Sequence, residues 1–182
     1  MLIMSIICFK IFEDKIQVAA DGRVMSDDEI IYENGKKIIK ISDSLIIGVT
    51  GLQDVNPIFE KFVNANKAVF EKLNNTCEGL ALFKRFKEYL ENYGYTEGTI
   101  KELGGFLIAN KHFVGEFRFD DNLTPYTRAC SNDGTMVGAF GSTREYTTAL
   151  LDCGLSLEDA IKKSAEKYTS INGNVTLLEI ER

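Results

Sequence analysis

One histidine, His112, occurs in the 182 residues, and the four cysteines, Cys8, Cys77, Cys130 and Cys153, stand far apart with no CxxC pair. A zinc centre needs several nitrogen or sulfur ligands, and a serine–histidine triad needs a histidine beside its nucleophile. Both lose their usual parts here, so any chemistry is expected to rest on an amine or a lysine, with no metal and no cofactor. Three of the cysteines fall in apolar or helical stretches, and the four read as reduced, mostly buried thiols in preference to a metal site or a disulfide framework. Lys and Arg are spread through the chain and the net charge is -6. That leaves no basic face for a phosphate backbone, and no nucleic-acid partner is expected. The opening residues carry no basic n-region and no small-residue cleavage site, and their apolar run is too short to span a bilayer. No membrane partner is expected, and the expected location is cytoplasmic. Repeats, low-complexity tracts and linkers are also missing.

What is present fits a single domain over residues 1–182. Hydrophobic residues make up 45% of the chain, and a chain of this length buries about 70% of its unfolded surface. Apolar runs at 5–9 and 15–20 flank Glu13-Asp14 and read as a hairpin ending at Asp21-Gly22. Strands near 29–32 and 36–41 bracket Asn34-Gly35, a strong two-residue hairpin signal. Val55, Ile58, Phe59, Phe62, Val69 and Leu73 recur at helical spacing, as do Leu80, Phe83, Phe86, Tyr89 and Leu90, with Asn74-Asn75 separating the two helices. Strands follow at 103–110, 113–119 and 135–140, His112 lying in the first turn between them. A helix over 142–152 is stopped by Gly154, a second is capped by Ser156, and a strand over 174–181 closes the chain. This order describes an α+β protein of two packed sheets with helices outside. The helices over 55–73 and 80–90 offer more apolar face than one sandwich needs, which predicts a homo-oligomeric contact.

Three chemically useful groups are spaced along the strand-rich opening: Ser5, Asp21 and Lys37. A hydroxyl is a poor nucleophile at neutral pH, and an N-terminal amine with a pKa of about 8 serves as its base when the hydroxyl residue is first in the chain. A neighbouring lysine lowers that amine's pKa and stabilises developing negative charge, while an aspartate holds the lysine charged and in place. The run Gly48-Val49-Thr50-Gly51 ends a strand in glycines, which allow backbone amides to approach a substrate oxyanion.

The motifs Ala19-Ala20-Asp21-Gly22-Arg23, Gly35-Lys36-Lys37-Ile38 and Ile47-Gly48-Val49-Thr50-Gly51 resemble the opening of proteasome beta-type subunits and HslV-type peptidases. Val137-Gly138-Ala139-Phe140-Gly141-Ser142, a helix, Gly154-Leu155-Ser156-Leu157-Glu158-Asp159-Ala160-Ile161 and a last strand are similar to that family's closing half. The resemblance implies a four-layer αββα sandwich of the N-terminal nucleophile hydrolase superfamily. It places Ser5 at the family's N-terminal threonine nucleophile, Asp21 and Lys37 at its supporting aspartate and lysine, Gly51 at the oxyanion glycine and Ser142 at the serine near the amine. It also implies peptide or protein substrates, a homo-oligomer and an unfoldase partner whose identity the sequence leaves open. This chain departs from the pattern in four ways. Serine replaces threonine; Met4, not glycine, precedes it; Thr143 follows Gly141-Ser142; and residues 168–171 contain no carboxylate.

Each residue also has a plainer reading. Ser5 reads as a cross-strand hydroxyl, Asp21-Gly22 as a turn, Lys37 as part of a solvated face with Lys36 and Lys40, Gly48 and Gly51 as close-packing glycines, and Ser142 as a helix cap. Ser5 has no free amine while residues 1–4 are attached. Three functions stay open: a serine-type peptidase activated by trimming to Ser5, a noncatalytic scaffold or interaction subunit, and a small-molecule amidase on the same fold.

Overall fold

The computed structural model describes residues 5–26, 29–131 and 135–182, apart from the side chains of residues 26 and 129–131. The opening hairpin forms as expected: β1 (Ile6–Ile11) and β2 (Lys15–Asp21) pair antiparallel, with Ile7 opposite Ala20 and Ile11 opposite Ile16. Both strands are apolar along most of their length because both faces of their sheet are covered. Next come β3 (Val24–Ser26), β4 (Glu29–Tyr32), β5 (Ile38–Ser42) and β6 (Leu45–Val49). After the central helices come β7 (Phe106–Asn110), β8 (Phe113–Phe119), β9 (Pro125–Ser131) and β10 (Met136–Gly141), and β11 (Val175–Glu181) ends the chain.

One sheet has the order β10-β1-β2-β11 and the other β5-β6-β7-β8-β9, with β3 and β4 forming a small separate pair. Ile7, Phe9, Ile16 and Val18 of the first sheet pack against Ile38, Ile46, Leu107 and Val114 of the second, so the two stack face to face. The outer face of the five-stranded sheet meets α1 (Asn56–Ala65), α2 (Lys67–Phe70), α3 (Thr76–Asn92) and α4 (Glu97–Lys101). Here Phe59, Phe83, Phe86, Phe106 and Phe117 form a ring-on-ring core. The outer face of the four-stranded sheet places Ile6, Cys8 and Ala19 against Leu151, Leu157 and Ile161 of α5 (Arg144–Asp152) and α6 (Leu157–Lys167). The layers therefore run α, β, β, α, as the resemblance implied. No helix among the described residues is long and apolar enough to cross a membrane.

Several local expectations are corrected. Asn34-Gly35 does not turn β4 into β5: β4 pairs with β3, and β5 turns instead into β6. The Gly35 N–H donates to Gly22 O at 2.7 Å, and a Cβ at Gly35 would lie 2.2 Å from Val24 Cγ2, so this glycine serves close packing. The expected helix over 55–73 is two helices, because Asn66 leaves helical geometry (φ -120°) and its side-chain amide donates to Phe62 O at 2.8 Å. The helix expected over 80–90 starts earlier, where the Asn75 side chain accepts the Glu78 N–H at 3.1 Å. Ser142 is not a helix cap, since α5 begins after Thr143. Ser156 does cap α6, accepting the Asp159 N–H at 3.1 Å. Nor is Lys37 on a solvated face; it is 1% exposed. Among the described thiols only Cys8 is buried, whereas Cys77 and Cys153 are exposed; the Cys130 side chain lies outside the described ones.

Candidate active site

Ser5 stands immediately before β1, 4% exposed, and its carbonyl accepts the Ser142 N–H at 3.0 Å, with Ser142 Oγ at 3.5 Å. Gly141 makes that approach feasible. It has a φ of +114°, and a Cβ there would sit 1.9 Å from Ser5 O. Ser5 and Ser142, 137 positions apart in the chain, are thus joined where β10 runs beside β1.

Asp21, the last residue of β2, faces three donors. Its Oδ1 accepts the Ile6 N–H at 3.0 Å and the Lys37 Nζ at 2.6 Å, and its Oδ2 accepts the Arg23 N–H at 3.1 Å. The carboxylate therefore bridges the amide next to Ser5 and the lysine just ahead of β5. Both side chains of the pair are fully shielded from solvent. Burial pushes the Lys37 ammonium below the ordinary lysine value of 10.5, while the Asp21 charge and hydrogen bond oppose that shift. Among the described residues no hydrogen bond joins the Ser5 hydroxyl to Lys37; the lysine reaches Ser5's neighbourhood through Asp21.

Gly51 follows β6 in a tight approach to the residues ahead of β7. Thr50 N donates to Gly105 O at 2.8 Å and Leu52 N to Leu103 O at 3.1 Å, while the Gly51 N–H between them has no acceptor among the described residues. A Cβ on Gly51 would lie 1.7 Å from Leu103 O, so no other residue fits without moving the backbone. A cleft of about 280 Å³ is lined by Val24, Tyr32, Gly35, Lys36, Gln53 and Asn56 among others; it reaches Lys36, next to Lys37, but none of Ser5, Asp21, Lys37 and Gly51 lines it.

The sequence reading missed Asn172. This buried residue accepts the Gly22 N–H at 3.0 Å and donates to Glu33 O at 2.7 Å, clamping the Asp21-Gly22-Arg23 turn against the strand end after β4. Arg23 adds two bonds to the Glu33 carboxylate, at 3.2 and 2.9 Å, and a third to Thr169 O. Arg23 first and Asn172 second hold the Glu33 carboxyl below its usual value. The segment over 168–171 thus meets the turn through the Thr169 carbonyl, and the Asn172 amide just after it meets the turn as well. A run of Asn172-Gly173-Asn174 is the only sequence signal, and it reads equally as a loop.

No family model and no curated protein matches the chain. Among solved structures it is similar to the eukaryotic HslV from Trypanosoma brucei, at 16% identity and a TM-score of 0.65, over 97% of this chain and 99% of that one. It is also similar to BPH of Thiobacillus denitrificans, at 15% identity and a TM-score of 0.71, over 97% of each chain. The same BPH in complex with epoxomicin matches at 17% identity and a TM-score of 0.69, over 97% of this chain and 98% of that one. The layer order, the strand order and these matches lead to one conclusion: the chain has the proteasome beta-type, HslV-like fold over nearly its whole length.

Proposed function

We propose that this chain is an N-terminal nucleophile hydrolase that cleaves peptide amides with Ser5 once residues 1–4 are removed. The observation that carries the reading is the fully buried Lys37–Asp21 pair at 2.6 Å, whose carboxylate also holds the amide next to Ser5. A buried ion pair is an expensive way to stabilise a fold, and apolar residues of similar size would serve as well or better. Its position beside a hydroxyl residue at a strand start fits a catalytic role.

The steps follow from the groups present. The freed Ser5 amine takes the hydroxyl proton as Oγ bonds to the substrate carbonyl carbon, and the carbonyl oxygen becomes an oxyanion facing the Gly51 N–H. The intermediate collapses, the C–N bond breaks, and the amine passes its proton to the departing nitrogen, leaving an ester on Ser5. Water then attacks that ester with the same amine as base, releasing a carboxylic acid product and restoring Ser5. Lys37 lowers the amine's pKa and stabilises the negative charge; Asp21 keeps Lys37 protonated and aimed. Ser142 holds the Ser5 carbonyl. The chain acts as a homo-oligomer in the cytoplasm on peptide or protein substrates.

Two observations favour a second reading, a noncatalytic subunit of the same fold: the lack of a hydrogen bond from the Ser5 hydroxyl to Lys37 among the described residues, and the lack of a carboxylate at 168–171. Variants of a chain that begins at Ser5 separate the two. Ser5→Ala is expected to abolish hydrolysis of fluorogenic peptide amides, and Lys37→Ala to lower kcat by about 100-fold or more. Epoxomicin, bound by the Thiobacillus BPH, is expected to add its mass to the Ser5 chain and not to Ser5→Ala. Unchanged turnover in Ser5→Ala would overturn the assignment.

A further inference from the structure

We propose that an ion pair two strands from the site, buried Glu116 with half-buried Arg118, positions the Gly51 amide through the Thr50 hydroxyl. The catalytic half of this inference rests on the function proposed above; the geometric half does not. Glu116 on β8 is 1% exposed, and Arg118 on the same strand grips it with two parallel bonds, Nε to Oε2 and Nη2 to Oε1, each 3.0 Å. That fork fixes both carboxylate oxygens in one plane. Oε1 has a second partner, the Thr50 hydroxyl at 3.0 Å, and that hydroxyl in turn accepts the Gly105 N–H at 3.1 Å. Gly105 O lies 3.3 Å from the same hydroxyl, and the charged carboxylate is the stronger acceptor for its single proton.

The packing leaves little freedom. A Cβ on Gly105 would lie 2.0 Å from Glu116 Oε1 and 2.6 Å from Thr50 Oγ1, so the strand can approach only as glycine. Thr50 is fully buried and fixed at both its amide and its hydroxyl, one residue before the Gly51 N–H that has no acceptor among the described residues. Joining β6 to β7 does not require a buried charge, since a well-packed apolar trio would hold the strands together at lower desolvation cost. What the charge supplies is direction: it sets the rotor of one hydroxyl and with it the backbone plane leading into Gly51. An oxyanion donor loses most of its effect when displaced by a fraction of an ångström. None of the three side chains touches Ser5 or Lys37 through a hydrogen bond, so they are positioning residues.

The test uses Thr50→Val, which keeps the shape and deletes the hydroxyl, with Thr50→Ser as the conservative restoration. In the full chain, Thr50→Val is expected to move the Gly51 amide resonance and to speed its hydrogen exchange by about tenfold or more, while Thr50→Ser leaves both near wild type. In the chain trimmed to Ser5, Thr50→Val is expected to lower kcat by about 100-fold with little change in KM, and Thr50→Ser to recover it. If Thr50→Val does not fold, Arg118→Lys, whose side chain is 15% exposed, carries the same readouts with the same sign. A Gly51 resonance and exchange rate untouched by loss of the hydroxyl, or a serine that fails like valine, would overturn the inference. A trimmed wild-type chain that is inert while the Gly51 amide still responds would overturn the peptidase reading and leave the positioning intact.

Discussion

Asp21 is the residue on which most depends, because one carboxylate answers an ammonium and two backbone amides. Asp21→Asn keeps an oxygen for the Ile6 N–H but leaves the Lys37 charge buried and unpaired. A loss of about 3–5 kcal/mol is expected in denaturant unfolding, and Lys37→Met added to it should recover part of that loss. The direction of the Lys37 shift sets a pH dependence as well. Its folded pKa lies below 10.5, so as pH rises through the window between the folded and the ordinary value the folded state releases a proton that the unfolded state keeps, and stability increases. Below the folded pKa both states hold the proton and the contribution is flat. Wild type should therefore gain stability relative to Lys37→Met as pH approaches 10.5, and a gap that widens in the opposite direction would contradict the burial account. The pairing of Asp21 with Lys37 was legible in the sequence because Asp21 closes a strand at Asp21-Gly22 and Lys37 follows Asn34-Gly35. Asn172 was not, since its bond to Glu33 O spans 139 positions and no local pattern announces it. Thr50 and Glu116, 66 positions apart, escaped for the same reason.

Elements were legible where one periodicity ran unbroken and less so where a side chain competed with the backbone. β1 and β2 emerge from apolar runs, α6 from helical spacing with Ser156 as its cap, and α3 from helical spacing alone, since its Asn75 cap reads in the sequence only as a separator. The long helix over 55–73 divides because the Asn66 side chain takes the carbonyl bond that a further helical turn would use. The Asn34-Gly35 signal misled because glycine there answers a packing demand from Val24, which local turn chemistry cannot register. Gly79 in α3 gives a sharp test of packing against propensity. Alanine in a helix interior is ordinarily more stable than glycine by about 0.5–1 kcal/mol. Here its Cβ would lie 2.6 Å from Cζ of Phe117, a ring stacked on Phe83 at 4.4 Å and 3°. Overpacking of this kind costs about 1–3 kcal/mol, so Gly79→Ala should lower the denaturation midpoint. A raised midpoint would show that the Phe83–Phe117 stack yields easily.

At the scale of the whole molecule, the order of strands and helices was enough to read two covered sheets, because each outer face needs its own helices and each inner face needs the other sheet. The sequence reading placed surplus apolar surface on the helices, yet their large apolar side chains mostly enter the core, leaving Val69 exposed on α2 and Tyr93 just past the end of α3. The larger exposed group is Ile30, Ile31 and Tyr32 on β4, at 48%, 46% and 64%. Apolar residues grouped in this way favour association. Light scattering at micromolar concentration is expected to give a multiple of the single-chain mass, and a monomer would contradict the proposed oligomer.

The central claim, that Ser5 acts through its own freed amine, is tested most directly by comparing the chain beginning at Met1 with the chain beginning at Ser5 on the same peptide-amide library in the same assembled state. The account predicts hydrolysis by the Ser5 chain alone, since an acylated nitrogen cannot accept the hydroxyl proton. Equal turnover by both chains, or none by either, would contradict it.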